Sequence, residues 1–301
     1  MSAEALVLLT SASRAASPRR EDWEIGRDEV EIGSELVRGT FGLVYAGTYR
    51  GSPVAVKFAH GSLAAAKRQE VADLAARMKR LPEHENVVTF FGAAVDDGGL
   101  LIVMELCEGG DLLSFLQKQP LLEPALRLAF VVQVARGMAH LHDAGVVHRD
   151  LAARHVLLGG APDGVPLAKV AGFGLSRTIT FAGTSAQVAE AAAAAATLAI
   201  RWSAPEVLAA QQYSRASDVW AFGVTVWEIY SAGSEPYEDI EDNDNVIDFV
   251  VDRREQLFRP VDCPVDVWRL VEQCFAYASD QRPSFHHLAG ALAKVSESIY
   301  S

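Results

Sequence analysis

No stretch of this 301-residue chain approaches the roughly 18–20 consecutive apolar residues of a membrane-spanning helix, so no span is expected. The chain is also poor in cysteine. Its three, Cys107, Cys263 and Cys274, are odd in number and far apart. That argues against a disulfide framework and for a reducing, cytoplasmic setting. No CxxC pair is present to suggest zinc. The apolar stretch Ala5–Leu9 is shorter than the roughly 7–15 residues of a secretory signal core, so no leader is expected. Positive charge is scarce as well: 27 Lys and Arg stand against 39 Asp and Glu, a net charge of −12. Without a net basic field to displace counter-ions from a phosphate backbone, nucleic acid is not expected as a partner. Apolar residues are plentiful at 50%, enough for a sizeable core. The length suits one two-lobed domain or two small ones.

Residues 1–22 are rich in Ser, Ala and Arg and lack periodicity, which predicts a disordered tail. From Trp23 the texture changes. Short β-branched segments punctuated by Gly at 29–37, 43–49 and 53–59 predict antiparallel strands. A run rich in Ala, Lys, Arg and Leu over 62–81 predicts a helix. Two further strands are predicted at 87–95 and 99–106. After Gly109 the pattern is mainly helical. Residues 124–145 carry helical periodicity with Gly145 as a stop. More helices are predicted near 204–210, 215–232, 243–254, 264–275 and 284–298. The alanine run at 189–196 suits a helix or filler within a long loop.

Three segments carry candidate chemistry. In LVRGTFGLVYAG (36–47), Gly39 and Gly42 flank a strand–turn–strand where backbone N–H groups can approach phosphates closely. Val44 and Ala55 suit the two sides of a planar base. Lys57 can meet phosphate oxygens as a point charge. Taken alone, this segment reads equally as a hairpin with an exposed lysine. VVHRDLAARHVLL (146–158) places His148, Arg149 and Asp150 between apolar runs, hence in a partly buried loop. Asp150 can accept a hydroxyl proton. VAGFGLSR (170–177) follows about 20 residues on.

With RWSAPEVL (201–208), SDVWAFGVTVWEI (217–229) and DQRPSF (280–285), six motifs stand in the order and approximate spacing of eukaryotic protein kinases. The chain resembles that family over residues 23–298. HRDLAAR, with Arg154 at +4 from Asp150, and RWSAPE resemble its tyrosine-kinase branch. The resemblance implies an α+β, bilobal fold. A five-stranded sheet with one helix (23–105) would join a mainly helical lobe (106–298) through a hinge near 105–110. It also implies roles. Lys57 would hold the α- and β-phosphates of ATP, under a loop containing Val37, Gly39 and Gly42. Val44, Ala55 and Leu157 would enclose adenine. Met104 would be the gatekeeper, and Glu105 to Cys107 the hinge that bonds adenine. Asp150, with Arg154, would serve catalysis as the base. Glu206 and Arg282 would form a buried ion pair, and Asp218 would anchor the catalytic loop.

The departures fall on the metal ligands. The family places an aspartate and an asparagine where this chain has Gly172 and His155. Glycine has no donor, and imidazole is a poor partner for Mg²⁺, which wants oxygen. Phosphoryl transfer is mostly positioning and electrostatics, so little of it is expected to remain. The first phosphate-loop glycine is Val37, whose β-branched side chain resists a turn with positive φ. The helix partner of Lys57 falls near Leu74, and a one-turn extension of the helix would offer Glu70, with Asp73 beside Leu74. No tyrosine lies between Gly172 and Glu206, leaving Thr178, Thr180, Thr184, Ser185 and Thr197 as the segment's hydroxyls.

A catalytically impaired regulatory or scaffolding domain is therefore expected, holding ATP weakly and without Mg²⁺. Its partner would be a protein, either an active kinase or a substrate. The rival expectation is an active tyrosine kinase built on Lys57 and Asp150. A small-molecule site in the same cleft has no positive feature in its favour.

Overall fold

Alternation of side chains across each strand determines the small lobe. In the computed structural model the described residues are 21–39, 42–60, 65–96, 99–160, 165–173 and 199–300. Nearly all of the predicted N-terminal tail, the alanine run and all five hydroxyl positions from Thr178 to Thr197 lie outside them. Strands β1 (Val30–Gly39), β2 (Gly42–Tyr49), β3 (Ser52–His60), β4 (Phe90–Asp96) and β5 (Gly99–Glu105) form one antiparallel sheet in the order β1-β2-β3-β5-β4. Val54, Val56 and Phe58 of β3 alternate with Ala55 and Lys57. With Leu101 and Val103 of β5 they form an outer apolar cluster closed by Ile25 and Val30. The opposite face carries Leu100 and Ile102. Helix α1 (Ala65–Lys79) packs there through Val71, Ala75 and Met78. Period-2 alternation thus gives the sheet two buried faces with different jobs.

The large lobe is built on helices α2 (Leu112–Lys118), α3 (Pro124–Asp143), α4 (Pro205–Ala210), α5 (Arg215–Tyr230), α6 (Asn243–Ile247), α7 (Val265–Cys274) and α8 (Phe285–Tyr300). Pro124 and Pro205 occupy first-turn positions, where the missing N–H is no loss. Helix α5 is buried almost all round, with Trp220, Phe222, Val224, Val226 and Ile229 at 2% exposure or less. An all-round apolar helix belongs at the centre of its lobe. The same buried cluster continues from α5 and α3 to α1 and β5. It therefore spans both lobes.

Three short elements went unpredicted. Helix α2 has seven residues and is capped by Asp111, whose carboxylate accepts the Ser114 N–H at 2.8 Å. Strands β6 (Val156–Gly159) and β7 (Leu167–Val170) have four residues each. Seven and four residues are too few to display a period. The helix predicted over 243–254 instead splits into α6 and a π-helical turn over Asp248–Asp252. Among the described residues no helix is long and apolar enough to cross a membrane.

Candidate functional site

The register of the sheet gathers the residues expected to meet a nucleotide. Val37 lies opposite Val44, Val44 opposite Lys57, and Ala55 opposite Met104. Partners opposite each other in an antiparallel pair share a face. Val37, Val44, Ala55, Lys57 and Met104 therefore all project from one side of the sheet, away from the outer apolar cluster. Gly39 and Gly42 pair at the hairpin end of β1 and β2. Beyond β5 the chain crosses to the large lobe. There Gly109 donates to the Leu158 carbonyl at 2.9 Å, and Leu158 donates to the Gly110 carbonyl at 2.8 Å. A Cβ at Gly109 would stand 2.7 Å from Leu158, so only glycine lets the hinge approach β6 this closely. That contact brings Leu157 beneath the sheet face, bridged to Asp111.

The hinge is tied down by a pair that sequence reasoning missed. Lys169 of β7 lies 2.9 Å from the Glu105 carboxylate, which also accepts the Thr89 N–H at 3.1 Å. Nothing local to either residue signals it, because the partners come from different lobes. Cys107 is half-buried. Burial and the nearby Glu105 push its thiol up to about 12, so it is not a nucleophile at neutral pH.

Val37 calls for a correction. A turn position was expected there, yet Val37 is strand residue in β1, paired with Val44 and 58% exposed. A β-branched residue is at ease in that geometry. The conformational objection to Val37 therefore falls, and its bulk over the cleft remains.

The catalytic-type loop is held from below by α5. Asp218 is 1% exposed and accepts three hydrogen bonds: from His148 N–H at 2.8 Å, Arg149 N–H at 2.9 Å and His142 Nε2 at 2.9 Å. These bonds hold Arg149 in the left-handed region, φ 70°, which a free arginine avoids. His148 donates through Nε2 to the Ala171 carbonyl at 2.9 Å and accepts the Asp150 N–H on Nδ1 at 3.2 Å. Burial lowers its pKa, so it serves as a neutral linker. Asp150 is 5% exposed, and Arg154 Nη2 donates to its Oδ1 at 2.8 Å. The Arg154 guanidinium also lies 4.3 Å over the Trp202 ring, a cation–π contact. Glu228 accepts from Ala153 N–H at 2.9 Å and Trp202 Nε1 at 2.8 Å. Burial raises its carboxyl to about 7 against those two bonds. Sequence reasoning named Arg154 but not the Trp202–Glu228 support behind it.

Lys57 faces this loop across the cleft. Burial pulls its ammonium down to about 8, while the Asp150 carboxylate opposes the fall. On α1, Leu74 packs against the core and Glu70 is exposed. Asp73 takes a bond from Gln69 at 2.8 Å.

The two substituted positions meet. Gly172 has φ 77°, and a Cβ built there would lie 3.4 Å from His155 Cγ. His155 Nδ1–H donates to the Asp150 carbonyl at 2.6 Å. Burial lowers its pKa to about 4, so the ring is neutral at pH 7. The residues present do not fit Mg²⁺: one has no side chain, and the other offers imidazole where a hard cation needs oxygen. Among the described residues no group of three or more His, Cys, Asp or Glu is placed to hold a metal. By contrast, the apolar sheet face and Lys57 suit adenine and phosphate chemistry.

The large-lobe ion pair is present and buried. Arg282 donates to both Glu206 oxygens, at 2.6 and 2.8 Å, with no exposure of its own side chain. This anchor, the Asp218-held loop and the two lobes agree with the comparison with known sequences. A family model described as protein tyrosine and serine/threonine kinase matches residues 30–292. The chain belongs to that kinase family. This kinase domain is 35% identical over 280 residues to tyrosine-protein kinase Abl of Drosophila melanogaster, covering 92% of the chain and 16% of the relative. It is 33% identical over 272 residues to the transforming protein Fps of avian sarcoma virus (strain PRCII), covering 88% and 48%. Rat tyrosine-protein kinase Fer is 32% identical over 287 residues, covering 94% and 33%. The kinase domain thus spans less than half the length of each of these relatives.

Proposed function

We propose that this domain, residues 23–298, is a catalytically impaired tyrosine-kinase-like module that regulates or scaffolds a protein partner in cytoplasmic phosphorylation signalling. The partner is an active kinase or a kinase substrate. One observation carries the reading: Gly172, at φ 77°, stands against a neutral His155 whose Nδ1–H is committed to the Asp150 carbonyl. Both positions that should present oxygen to a divalent ion present none. ATP binds weakly and without metal, between Val44, Ala55, Met104 and Leu157, with Lys57 at the phosphates. The glycines Gly39 and Gly42 and the residue Val37 cover it, and Glu105 to Cys107 meet adenine. Thermal shift with ATP in EDTA and in MgCl₂ tests this. Equal shifts in both, with no phosphate transfer to a poly-Glu/Tyr substrate, are the expected result. A shift that needs Mg²⁺ contradicts it.

A second reading has an observation in its favour. Asp150 is buried and oriented by Arg154 at 2.8 Å, and its charge reaches Lys57. That is a working arrangement for a base and a phosphate-binding cation. On this reading the domain is an active tyrosine kinase. Phosphate transfer abolished by Asp150→Asn would establish it.

A further inference from the structure

Large apolar side chains stand exposed where the chain runs from the π-helical turn into α7. Phe258 is 82% exposed, Val261 92% and Val265 51%. A lone exposed apolar residue is ordinary on any surface. Three close together beside a cleft make a patch. The cleft, of about 760 Å³, lies between residues 255–259 and one side of α7, with Leu257, Phe258, Val265 and Trp268 as its apolar walls.

Local structure explains the placement. Helix α7 turns Val267, Trp268, Val271 and Cys274 into the core. That leaves Val265, Arg269 and Glu272, at helical spacing, on its outer face. Opposite, residues 254–260 form neither helix nor strand. Arg254 opens this stretch in the left-handed region, φ 58°, with its guanidinium 4.6 Å over the Tyr277 ring. Near its other end, Arg259 donates to the Cys263 carbonyl. With both ends tied, the Phe258 ring is held at the rim of the cleft.

Charge indicates what covers the patch. The whole chain carries −12, and from Ser231 to Asp252 it holds eight Asp and Glu residues and no Lys or Arg. From Arg253 to Glu272, by contrast, four Arg and four Asp or Glu balance to zero. Glu255, Arg259, Arg269 and Glu272, two of each sign, line the cleft itself. A strongly charged partner gains nothing on such a face. A second copy of this acidic chain is repelled by net charge elsewhere and least opposed here. Both signs on one face also suit a two-fold axis, because each cation can meet the other copy's anion. The Arg269–Asp266 ion pair at 2.8 Å is exposed on both sides and contributes little, so Arg269 can exchange it.

We propose that this face is a self-association surface, closed by a second copy of the chain, with the Phe258 ring of each copy seated against the cleft of the other. Helix α7 crosses its own copy antiparallel, about an axis between Arg269 and Glu272, so each arginine meets the other copy's glutamate. None of these residues belongs to the nucleotide cleft, so the surface does not depend on whether that cleft transfers phosphate.

Sedimentation velocity of the full chain tests this at physiological salt, where repulsion between copies is screened beyond about 8 Å. The chain should pass from monomer to dimer with a dissociation constant of roughly 10–100 μM, as a small interface gives. Phe258→Ser removes an apolar anchor from each copy and should weaken association about 100-fold or more. Its melting temperature at dilutions where the unmodified chain is monomeric should not fall, because so exposed a ring stabilises little within the domain. Ile32→Ser removes an exposed apolar residue of the small lobe and should change association less than about twofold. Arg269→Glu and Glu272→Arg should each weaken association, and an equal mixture of the two should restore it, since opposite charges then meet at both positions. A monomer at every concentration up to about 500 μM, a dimer indifferent to Phe258→Ser, or a mixture as weak as its components would each overturn the proposal.

Discussion

Restoring oxygen donors at both substituted positions should make nucleotide binding respond to Mg²⁺. The variant is Gly172→Asp with His155→Asn. Position 172 has φ 77°, where aspartate is among the better tolerated residues but still costs about 1–2 kcal/mol relative to glycine. Its Cβ would rest in ordinary contact with the His155 ring at 3.4 Å, so the cost of Gly172→Asp is that of the backbone. A loss of roughly 1–2 kcal/mol corresponds to a fall of about 2–8 °C in melting temperature for a domain of this size. His155→Asn supplies the second oxygen. Its amide can still donate to the Asp150 carbonyl, and its oxygen faces the new carboxylate. If the pair holds Mg²⁺ with the nucleotide, a tenfold tightening adds about 1.4 kcal/mol to the ATP-induced stabilisation. Differential scanning fluorimetry with ATP, in EDTA and in MgCl₂, reads this directly. The unmodified domain should show the same shift in both buffers, and the double variant a larger one in MgCl₂ only. An equal Mg²⁺ increment in the unmodified domain would refute the reasoning, because an oxygen donor must then come from elsewhere.

Three more outcomes follow from named groups. Burial brings Lys57 to about 8, so nucleotide affinity should hold below that pH and fall as pH rises above it, and Lys57→Met should remove that dependence in an isothermal titration series. His155 has a folded pKa of about 4 against 6.5 unfolded. The unfolded chain therefore binds the extra proton between those values, and stability is lost as pH falls from 6.5 toward 4. His155→Asn should flatten that limb by roughly 3 kcal/mol at most, as judged from urea midpoints at stepped pH; an unchanged difference between the two proteins would show that the ring is not buried as described. Arg282→Ala leaves Glu206 without its partner and should cost about 3–5 kcal/mol in urea unfolding. A loss under about 1 kcal/mol would mean that water replaces the guanidinium.

Much of the small lobe was legible in the chain because strand alternation is written residue by residue. Val54, Val56 and Phe58 face one way, and Ala55 and Lys57 the other, as their spacing requires. Strands β6 and β7 and helix α2 escaped notice since each is shorter than the period that would reveal it. The loss of donors at 155 and 172 was equally visible, being a change of residue type within a spaced motif. The misreading of Val37 has a clear origin. Sequence likeness marks a position in a loop, whereas the pairing Val37↔Val44 depends on where the bulges in β1 fall.

Composition, periodicity and motif spacing were thus enough for the two-lobed architecture and for the change of residue type at positions 155 and 172, both being properties of residue type and order. Tertiary structure alone tethers His155 to the Asp150 carbonyl in a burial that lowers its pKa, buries Lys57 so that its ammonium is pulled down to about 8, and places Trp202 and Glu228 behind Arg154. The reason is physical: a charge state or a hydrogen bond is determined by burial and by neighbours brought from distant parts of the chain, and neither is encoded in the few residues on either side.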